Sequence, residues 1–251
     1  MEGLNLLHVE QWKPLAHYGF THPFFYLNAE TIVYTWVALS ILIILVLPIN
    51  LILSARNSTM RFALVSSLES FAQFTTQTLG VFSFEHFSFV ASLFIFIAIC
   101  NCLSVIPWLE EPTQDLNTTL ALGIISFLYV QWHAIRAQGI THYIKEYFQP
   151  FFIMFPLHVV GKLATIISIS FRLFGNIFGG ATISHLYFAL IKSSIFYEIL
   201  GLLSLNMLVT FFFGLFEGLL QAFIFSMLTL TYLSIALHGE MDEKTDEGIL
   251  T

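Results

Sequence analysis

Charged residues are scarce in this sequence of 251 residues: only 10% are Asp, Glu, Lys or Arg, whereas soluble domains contain about 25%. Apolar residues make up 57%, more than the polar residues of a soluble fold could shield from water. The sequence contains no cluster of Lys and Arg residues that would indicate nucleic-acid binding. The formal net charge of -7 identifies no partner either, because five of the 16 acidic residues lie between Glu240 and Glu247. The natural solvent of most of the chain is therefore lipid.

Several other signals are missing. The two cysteines, Cys100 and Cys102, lie inside an apolar segment, where thiols pack as small apolar groups. The first 30 residues lack a basic start followed by an apolar core, which predicts no cleavable secretory signal. Gly161 and Lys162 occur in VVGKLAT, without the remaining residues of a phosphate-binding loop. We therefore expect no redox pair, no nucleotide site, no cofactor and no metal.

Long apolar segments predict helices that cross a bilayer, since about 20 apolar residues span its hydrocarbon core. The stretch 57–80 differs, because it mixes Arg61 and Glu69 with Gln, Ser and Thr at helical spacing. That pattern is typical of an amphipathic helix lying at the membrane interface. The first three predicted spans are 31–53, 84–108 and 116–135.

Two longer apolar segments follow, 150–191 and 195–237. As straight helices they would each measure roughly 60 Å, twice the hydrocarbon thickness, so they must tilt, bend or fold back. The only clear break between them is Lys192, Ser193 and Ser194, which favours a long tilted hairpin. The sequence thus predicts an all-α membrane protein with about five membrane-crossing helical elements and one interfacial amphipathic helix. We expect a single membrane domain over 1–251, with 1–30 outside the membrane, 31–238 as the helical membrane region and 239–251 as an acidic tail.

The orientation is predicted from the Lys and Arg residues outside the apolar segments, which favour the cytoplasmic or matrix side. Five of them fall on that side if the N-terminus is outside, and two fall on the other. The five are Arg56, Arg61, Arg136, Lys145 and Lys244, and the two are Lys13 and Lys192.

Arg172 is the most informative residue, because no other ionisable residue occurs between Lys162 and His185. Placing an Arg at the centre of a membrane helix costs at least about 2.5 kcal/mol. Its guanidinium does not escape by losing a proton, since the pKa of Arg lies above about 12. One interpretation is a side chain that reaches the membrane surface, which suits helix ends. The other is a fixed positive charge that faces a carboxylate of this chain or of a partner.

Small residues follow Arg172 along the same segment. Gly175, Gly179 and Gly180, with Ala181 beside them, form a strip almost without side chains. Such a strip lets another helix approach closely. The sequence alone leaves open whether that helix belongs to this chain or to another subunit.

Three motifs complete the pattern: SFRLFGNIFGG, LLQAFIFSMLTLTYLS and PTQDLNTTLALG. On these motifs the chain resembles subunit a of the F-type ATP synthases over residues 31–238. The resemblance implies a stator channel packed against a rotating ring of subunit c, and held by the peripheral stalk subunit b. Two offset half-channels would carry H⁺ or Na⁺ to one carboxylate on each ring subunit. The essential Arg of the family maps onto Arg172, and its motif Asn and Gln map onto Asn176 and Gln221.

The resemblance implies an energy-transducing inner membrane, with a bacterial one favoured over a mitochondrial one. It also implies that Gln221 lies opposite Arg172, where its side chain could hold the guanidinium by a hydrogen bond. The interface with the ring would use Gly175, Gly179 and Gly180. The chain itself is expected to be a non-catalytic subunit.

The sequence departs from the family at two positions that often carry Glu or His and here hold Ala181 and Gly214. His185 stands about one helical turn beyond the first, and Glu217 one turn beyond the second, so that each shares a helix face with the vacated position. We hypothesise that His185 and Glu217 form a displaced proton relay in the half-channel on the Lys192 side. The alternative for His185 is a core histidine. An unpaired carboxylate at this depth would be costly, which favours a function for Glu217.

Other polar residues carry weaker expectations. Asn101 and Ser104 occupy polar positions of the family and are expected to line a half-channel. Lys162, ten residues before Arg172, lines the cytoplasmic side or extends to the surface, and the sequence does not decide between these. The acidic residues Glu110, Glu111 and Asp115 are typical of a solvated loop more than of a cation-gathering mouth.

Two other functions remain possible at this level. A secondary transporter also keeps charges near the membrane centre, but the paired repeats of transporters are not visible in this sequence. A structural membrane scaffold would have no reason to keep Arg172 at depth.

Overall fold

The structure, a computed structural model, describes residues 11–12, 27–49, 53, 59–106, 109–148, 151, 153–191 and 207–238. Most of these residues are helical, and the described strands are one antiparallel pairing of Gln11–Trp12 (β1) with Leu27–Asn28 (β2). The predicted all-α fold class is confirmed. The acidic tail 239–251, most of the segment 1–30 and the predicted break at 192–194 lie outside the described residues.

Within the described residues, five helical stretches are long and apolar enough to cross a membrane, as predicted. They are Ala29–Val46, Phe84–Cys102, Leu116–Gln138, Met154–Ser184 and Phe211–Leu237. In chain order the helices are α1 (Ala29–Val46), α2 (Thr59–Leu79), α3 (Phe84–Cys102), α4 (Leu116–Gln138), α5 (Ile140–Glu146), α6 (Met154–Ile191), α7 (Met207–Thr210), a π-helical segment (Phe211–Glu217) and α8 (Gly218–His238).

The second predicted span is shorter than expected, because α3 ends at Cys102 and a 3-10 turn follows at Leu103–Val105. After a second 3-10 turn at Pro112–Gln114, Asp115 caps the start of α4: its Oδ1 accepts a hydrogen bond of 2.9 Å from the Asn117 amide. Its Oδ2 accepts one of 3.0 Å from Thr31 Oγ1 on α1. Asp115 therefore caps one spanning helix and ties another to it, which gives this loop acid a structural role.

The amphipathic stretch forms α2, which lacks the apolar character of the five spans. It packs against α3 and α8. The Phe71 ring lies 6.0 Å from that of Phe87 and 5.7 Å from that of Phe94, centroid to centroid. Ser234 Oγ of α8 donates a 2.6 Å hydrogen bond to the Thr78 carbonyl. These contacts attach the helix to the bundle, and its interfacial location stays a prediction.

The last two long segments form an antiparallel pair. Gly180 of α6 meets Phe213, and Asn176 meets Gln221. Residue numbers thus fall along α6 as they rise along the other helix. With 38 residues α6 is continuous, so it does not fold back, and its length is about 57 Å. The antiparallel pairing of the two segments is therefore confirmed, whereas the connection between them lies outside the described residues and the tilt stays a prediction.

The main core lies where α3, α4, α6 and α8 meet. The buried residues of this core face inward, and the opposite sides of their helices are apolar and exposed, as expected for a helix bundle in lipid. Cys100 is buried near α1 and Cys102 is half-buried; both are free thiols, in line with small apolar packing. The buried members of the main core are Leu93, Ile97, Ala98, Leu122, Ile169, Leu173, Ile177, Ala222 and Phe225.

Candidate functional site

Arg172 lies on the outer face of α6. Its side chain is exposed, whereas the next residue, Leu173, is fully buried in the main core. Ser168 and Gly175 are exposed on the same side, as expected for residues three and four positions away on a helix. The guanidinium therefore points away from this chain's own core, at the middle of a membrane-spanning helix.

No acidic side chain forms an ion pair with Arg172 within the described part of the chain. The ion pair found there joins His133 and Glu85, far along the sequence from Arg172. No described side chain forms a hydrogen bond with the guanidinium. This arrangement differs from a clamped structural Arg, for which a carboxylate of the same chain would lie within reach.

Asn176 and Gln221 contact each other directly. Asn176 Nδ2 donates a 3.2 Å hydrogen bond to Gln221 Oε1, across the pair formed by α6 and α8. Gln221 is only 3% exposed, and its Nε2 has no hydrogen-bond partner in the described structure. The expected hydrogen bond from Gln221 to Arg172 is therefore absent, because the amide turns inward toward Asn176, one turn further along α6.

The three glycines after Arg172 have different surroundings. A Cβ atom at Gly175 or Gly179 would meet no atom of the described chain within 4 Å. A Cβ at Gly180 would lie 2.6 Å from the Cβ of Phe213. Gly180 therefore serves packing within this chain, the alternative that the sequence left open, whereas Gly175 and Gly179 leave open space on the side of Arg172.

Glu217 ends the π-helical segment, and its side chain is half-buried. π-Helical turns are rare and occur often at functional sites. His185 lies on α6, but its side chain is outside the described structure, so the proposed pairing of His185 with Glu217 stays a prediction.

Asn101 has a structural role that the sequence did not indicate. It is fully buried, and its Nδ2 donates a 2.8 Å hydrogen bond to the Gly218 carbonyl. Its Oδ1 accepts a 2.7 Å hydrogen bond from Thr113 Oγ1. The amide thus joins α3 and the second 3-10 turn to the start of α8, next to Glu217. Ser104 lies in the first 3-10 turn with its side chain outside the described structure, and the lining of a half-channel by either residue stays a prediction.

Lys162 is held by two tyrosines of the short connection before α6. Its Nζ donates hydrogen bonds to Tyr147 Oη at 2.7 Å and to Tyr143 Oη at 3.4 Å. The same nitrogen lies over both rings, 4.1 Å and 4.8 Å from their centroids. This geometry favours a Lys162 side chain held by the protein over one that extends freely to the surface, and its position on the cytoplasmic side stays a prediction.

The sequence did not indicate roles for Thr113, Tyr143 and Tyr147, because each contacts a residue that lies in another helix or turn. A polar residue directly after the Glu110 and Glu111 loop was visible, but only the fold brings Thr113 to Asn101. Among the described residues, no three His, Cys, Asp or Glu side chains gather as they would around a metal ion.

Comparison with known proteins identifies the family. A family model described as ATP synthase A chain matches residues 32–234. An ATP synthase subunit a from Moorella thermoacetica is 33% identical over 210 residues, which cover 84% of this chain and 91% of that protein. One from Desulfosudis oleivorans is 30% identical over 246 residues, which cover 94% and 98%. An ATP synthase subunit a 2 from a Picosynechococcus species is 31% identical over 223 residues, which cover 86% and 89%. The chain therefore belongs to the family of ATP synthase subunit a, integral membrane subunits of the ATP synthase.

Proposed function

We propose that this chain is the ion-translocating stator of a rotary F-type ATP synthase in a bacterial inner membrane, with Arg172 as its essential fixed charge. Its partners are a ring of subunit c and the peripheral stalk subunit b. Two offset half-channels lead from the two sides of the membrane to the ring interface. The translocated ion is H⁺.

The observation that carries this proposal is the exposed guanidinium of Arg172, at membrane depth and without an acidic partner among the described residues. A permanent charge in that position is costly unless it is compensated, and in this proposal the compensating negative group arrives from outside the chain. The open space at Gly175 and Gly179 would let a helix that carries such a group come close. A secondary transporter, the rival reading, gains nothing from the family match.

The physical cycle follows from the cost of burying charge. A protonated ring carboxylate can face lipid, whereas an ionised one would lose its hydration without compensation. Beside Arg172 the ionised form is stabilised, so the proton leaves through one half-channel. After the ring carboxylate has moved past the guanidinium, it takes a proton from the other half-channel and re-enters lipid. Because Arg172 stays charged throughout, it also blocks direct passage of protons between the two half-channels.

The side chains around Arg172 have supporting roles in this scheme. The hydrogen bond between Asn176 and Gln221 joins α6 to α8 one turn from the guanidinium and fixes the register of the two helices. Glu217 and His185 are proposed as relay groups of the half-channel on the Lys192 side. Asn101 positions the backbone beside Glu217 through the Gly218 carbonyl.

The test replaces Arg172 in the complete synthase. Arg172→Ala and Arg172→Lys should both abolish or strongly reduce ATP synthesis and ATP-driven proton pumping in inverted membrane vesicles. The Lys variant should fail because an ammonium loses its proton far more readily than a guanidinium when desolvated. Pumping is followed with a pH-sensitive dye, and immunoblots verify that the subunit is present.

A matched control is Arg136→Lys, at the end of α4, where the guanidinium lies 4.9 Å from the centroid of the Trp132 ring. This substitution keeps a cation at a helix end, so pumping should stay near normal. Normal pumping by the Arg172→Lys variant would refute the argument from a permanent charge.

A further inference from the structure

A cavity of about 180 Å³ lies between α4, α6 and α8. It is separate from the outer face that carries Arg172, because its α6 lining ends at Ile169, a buried core residue. The polar side chains that line it include Ser126, Gln138, Tyr143, Lys162 and Thr165.

Two of these side chains leave polar atoms unsatisfied. Ser126 is only 4% exposed, and its Oγ has no hydrogen-bond partner among the described residues. Gln138 donates a 3.1 Å hydrogen bond from Nε2 to the Ala236 carbonyl, but its buried Oε1 accepts none from the described chain. Native structures rarely leave such atoms without a partner. Most of the cavity surface is apolar, so water would bind at these polar atoms, and the volume has room for several water molecules, each of which fills about 30 Å³ in the liquid.

The inner end of the cavity approaches the level of Arg172. Ile169 lies three residues before Arg172, a rise of about 4.5 Å along the helix. The next residue, Ser170, is fully buried with an unpartnered Oγ in the described structure, and a Cβ added to Gly123 would collide with that Oγ. Unsatisfied hydroxyls thus continue inward from the cavity, and Gly123 leaves space for the Ser170 Oγ in its present position.

The outer end of the cavity carries a fixed positive charge. Lys162 is held there by Tyr143 and Tyr147, and Tyr143 is in turn hydrogen-bonded to Gln131, another lining residue. No carboxylate of the described side chains lies within ion-pair distance of its Nζ. A cation that enters past Lys162 would therefore meet repulsion from its ammonium group in a medium of low dielectric constant.

We propose that this cavity is a water-filled vestibule that opens on the side of Arg136 and Lys145, and that Lys162 makes it more accessible to water and small anions than to cations. Protons can still cross it, because they move between hydrogen-bonded waters without the entry of a hydrated ion. A sodium ion lacks this route and is disfavoured by the charge of Lys162. The use of this vestibule as one of the two half-channels rests on the proposed function, whereas its hydration and charge preference do not.

The experiment measures the reactivity of single thiols in the complete synthase, in inverted membrane vesicles. Cys100 and Cys102 are first replaced by Ala, and Ser126→Cys or Thr165→Cys is then introduced. The probes are two methanethiosulfonates of similar size, an anionic ethylsulfonate and a cationic ethylammonium. In each reaction the thiolate attacks the reagent sulfur, forms a mixed disulfide and releases methanesulfinate. Rates are normalised to those of a small thiol in solution.

Both thiols should react from the side on which Arg136 and Lys145 lie. The control is Ser226→Cys, since Ser226 is also fully buried but its Oγ donates a 2.9 Å hydrogen bond to the Ala222 carbonyl and it does not line the cavity. This thiol should not react. The anionic reagent should be favoured roughly tenfold, and Lys162→Gln should remove that preference, as expected for the loss of one nearby charge.

An unreactive S126C thiol, together with an unreactive T165C thiol, in vesicles that still synthesise ATP would overturn the hydrated vestibule. Equal rates for the two reagents with Lys162 present would overturn the charge preference. Neither result bears on the role of Arg172, because labelling needs no transport. Conversely, normal pumping by the Arg172→Lys variant would remove the proposed function and leave the labelling unchanged.

Discussion

The contrast between Gly179 and Gly180 gives the sharpest test of the packing. The two residues are neighbours on α6, yet a Cβ at Gly180 would lie 2.6 Å from Phe213 Cβ and 2.8 Å from its Cγ. At Gly179 no described atom lies within 4 Å of that position. We therefore compare Gly180→Ala with Gly179→Ala, which differ by one residue in position and not at all in chemistry.

The size of the effect follows from the distances. Carbon atoms pack at about 3.5–4.0 Å, so α6 and the π-helical segment would have to separate by roughly 1 Å to admit the new methyl group. Overpacking of this kind costs about 1–3 kcal/mol. The gain in helix propensity from Gly to Ala, about 1 kcal/mol, is common to both variants and cancels in the comparison. Gly180→Ala should thus be less stable than Gly179→Ala by about 1–3 kcal/mol.

The assay separates stability from transport. The temperature at which the subunit is lost from the detergent-solubilised synthase reports the packing of the chain, and ATP synthesis in vesicles reports function. That temperature should be lower for Gly180→Ala than for Gly179→Ala, whereas Gly179→Ala should not lower it but should reduce ATP synthesis through poorer approach of the ring. Gly161→Ala is the control for both readouts, since a Cβ there also meets nothing within 4 Å and the residue lies far from Arg172 along α6.

If Gly180→Ala assembled as stably as Gly179→Ala, this result would contradict the close packing of Gly180 against Phe213. That result would mean that the contact between α6 and Phe213 is not part of the native structure, and the antiparallel register of the last two long helices would lose one of its supports. A loss of stability in Gly179→Ala alone would contradict the arrangement in the same way.

Two further predictions concern the region beside Glu217. Asn101→Ala should reduce the amount of assembled subunit more than Thr113→Val does. It removes the hydrogen-bond partner of both the Gly218 carbonyl and the Thr113 hydroxyl, and each unsatisfied group costs about 1–3 kcal/mol. Equal amounts of the two variants on immunoblots of membranes would contradict the bridging role of Asn101. Glu217→Gln and Glu217→Ala should both lower ATP synthesis by about tenfold or more without loss of assembled subunit, as expected for a proton-transfer group, and normal synthesis by either variant would remove Glu217 from the relay.

The helical elements were predictable because lipid imposes long apolar segments, and those segments are visible without any tertiary information. The two ends of α4 also follow from local chemistry, with Asp115 at its start and Gly139, at a φ of 82°, after its end. The end of α3 was placed too late, since the sequence stays apolar through the turn at Leu103–Val105. Apolar composition therefore predicts the presence of a membrane-spanning helix well, but it predicts the residue at which the helix ends poorly.

The sequence marks the candidate residues of the site, but it does not reveal their contacts. Arg172 is identifiable because a single charge in an apolar segment has few explanations. The direction of the Gln221 amide was not identifiable, since residues on one helix cannot reveal which of two neighbours on another helix, Arg172 or Asn176, lies within 3.2 Å. The same limit applies to Asn101, whose polar character suggested contact with water and whose actual partners are a backbone carbonyl and Thr113.

The π-helical turn before α8 changes how this chain should be aligned with its relatives. A regular α-helix advances by about 100° per residue, and a turn that holds one extra residue rotates everything before it by roughly that angle relative to everything after it. If the helix is treated as regular, counting back from Gln221 therefore assigns the wrong direction to Gly214, which lies inside the π-helical segment, and to the residues before it. A relative with an uninterrupted helix could present an acidic group in the same direction from a different position in the sequence alignment. The absence of an acid at the aligned position of this chain therefore need not mean that the acidic group is lost.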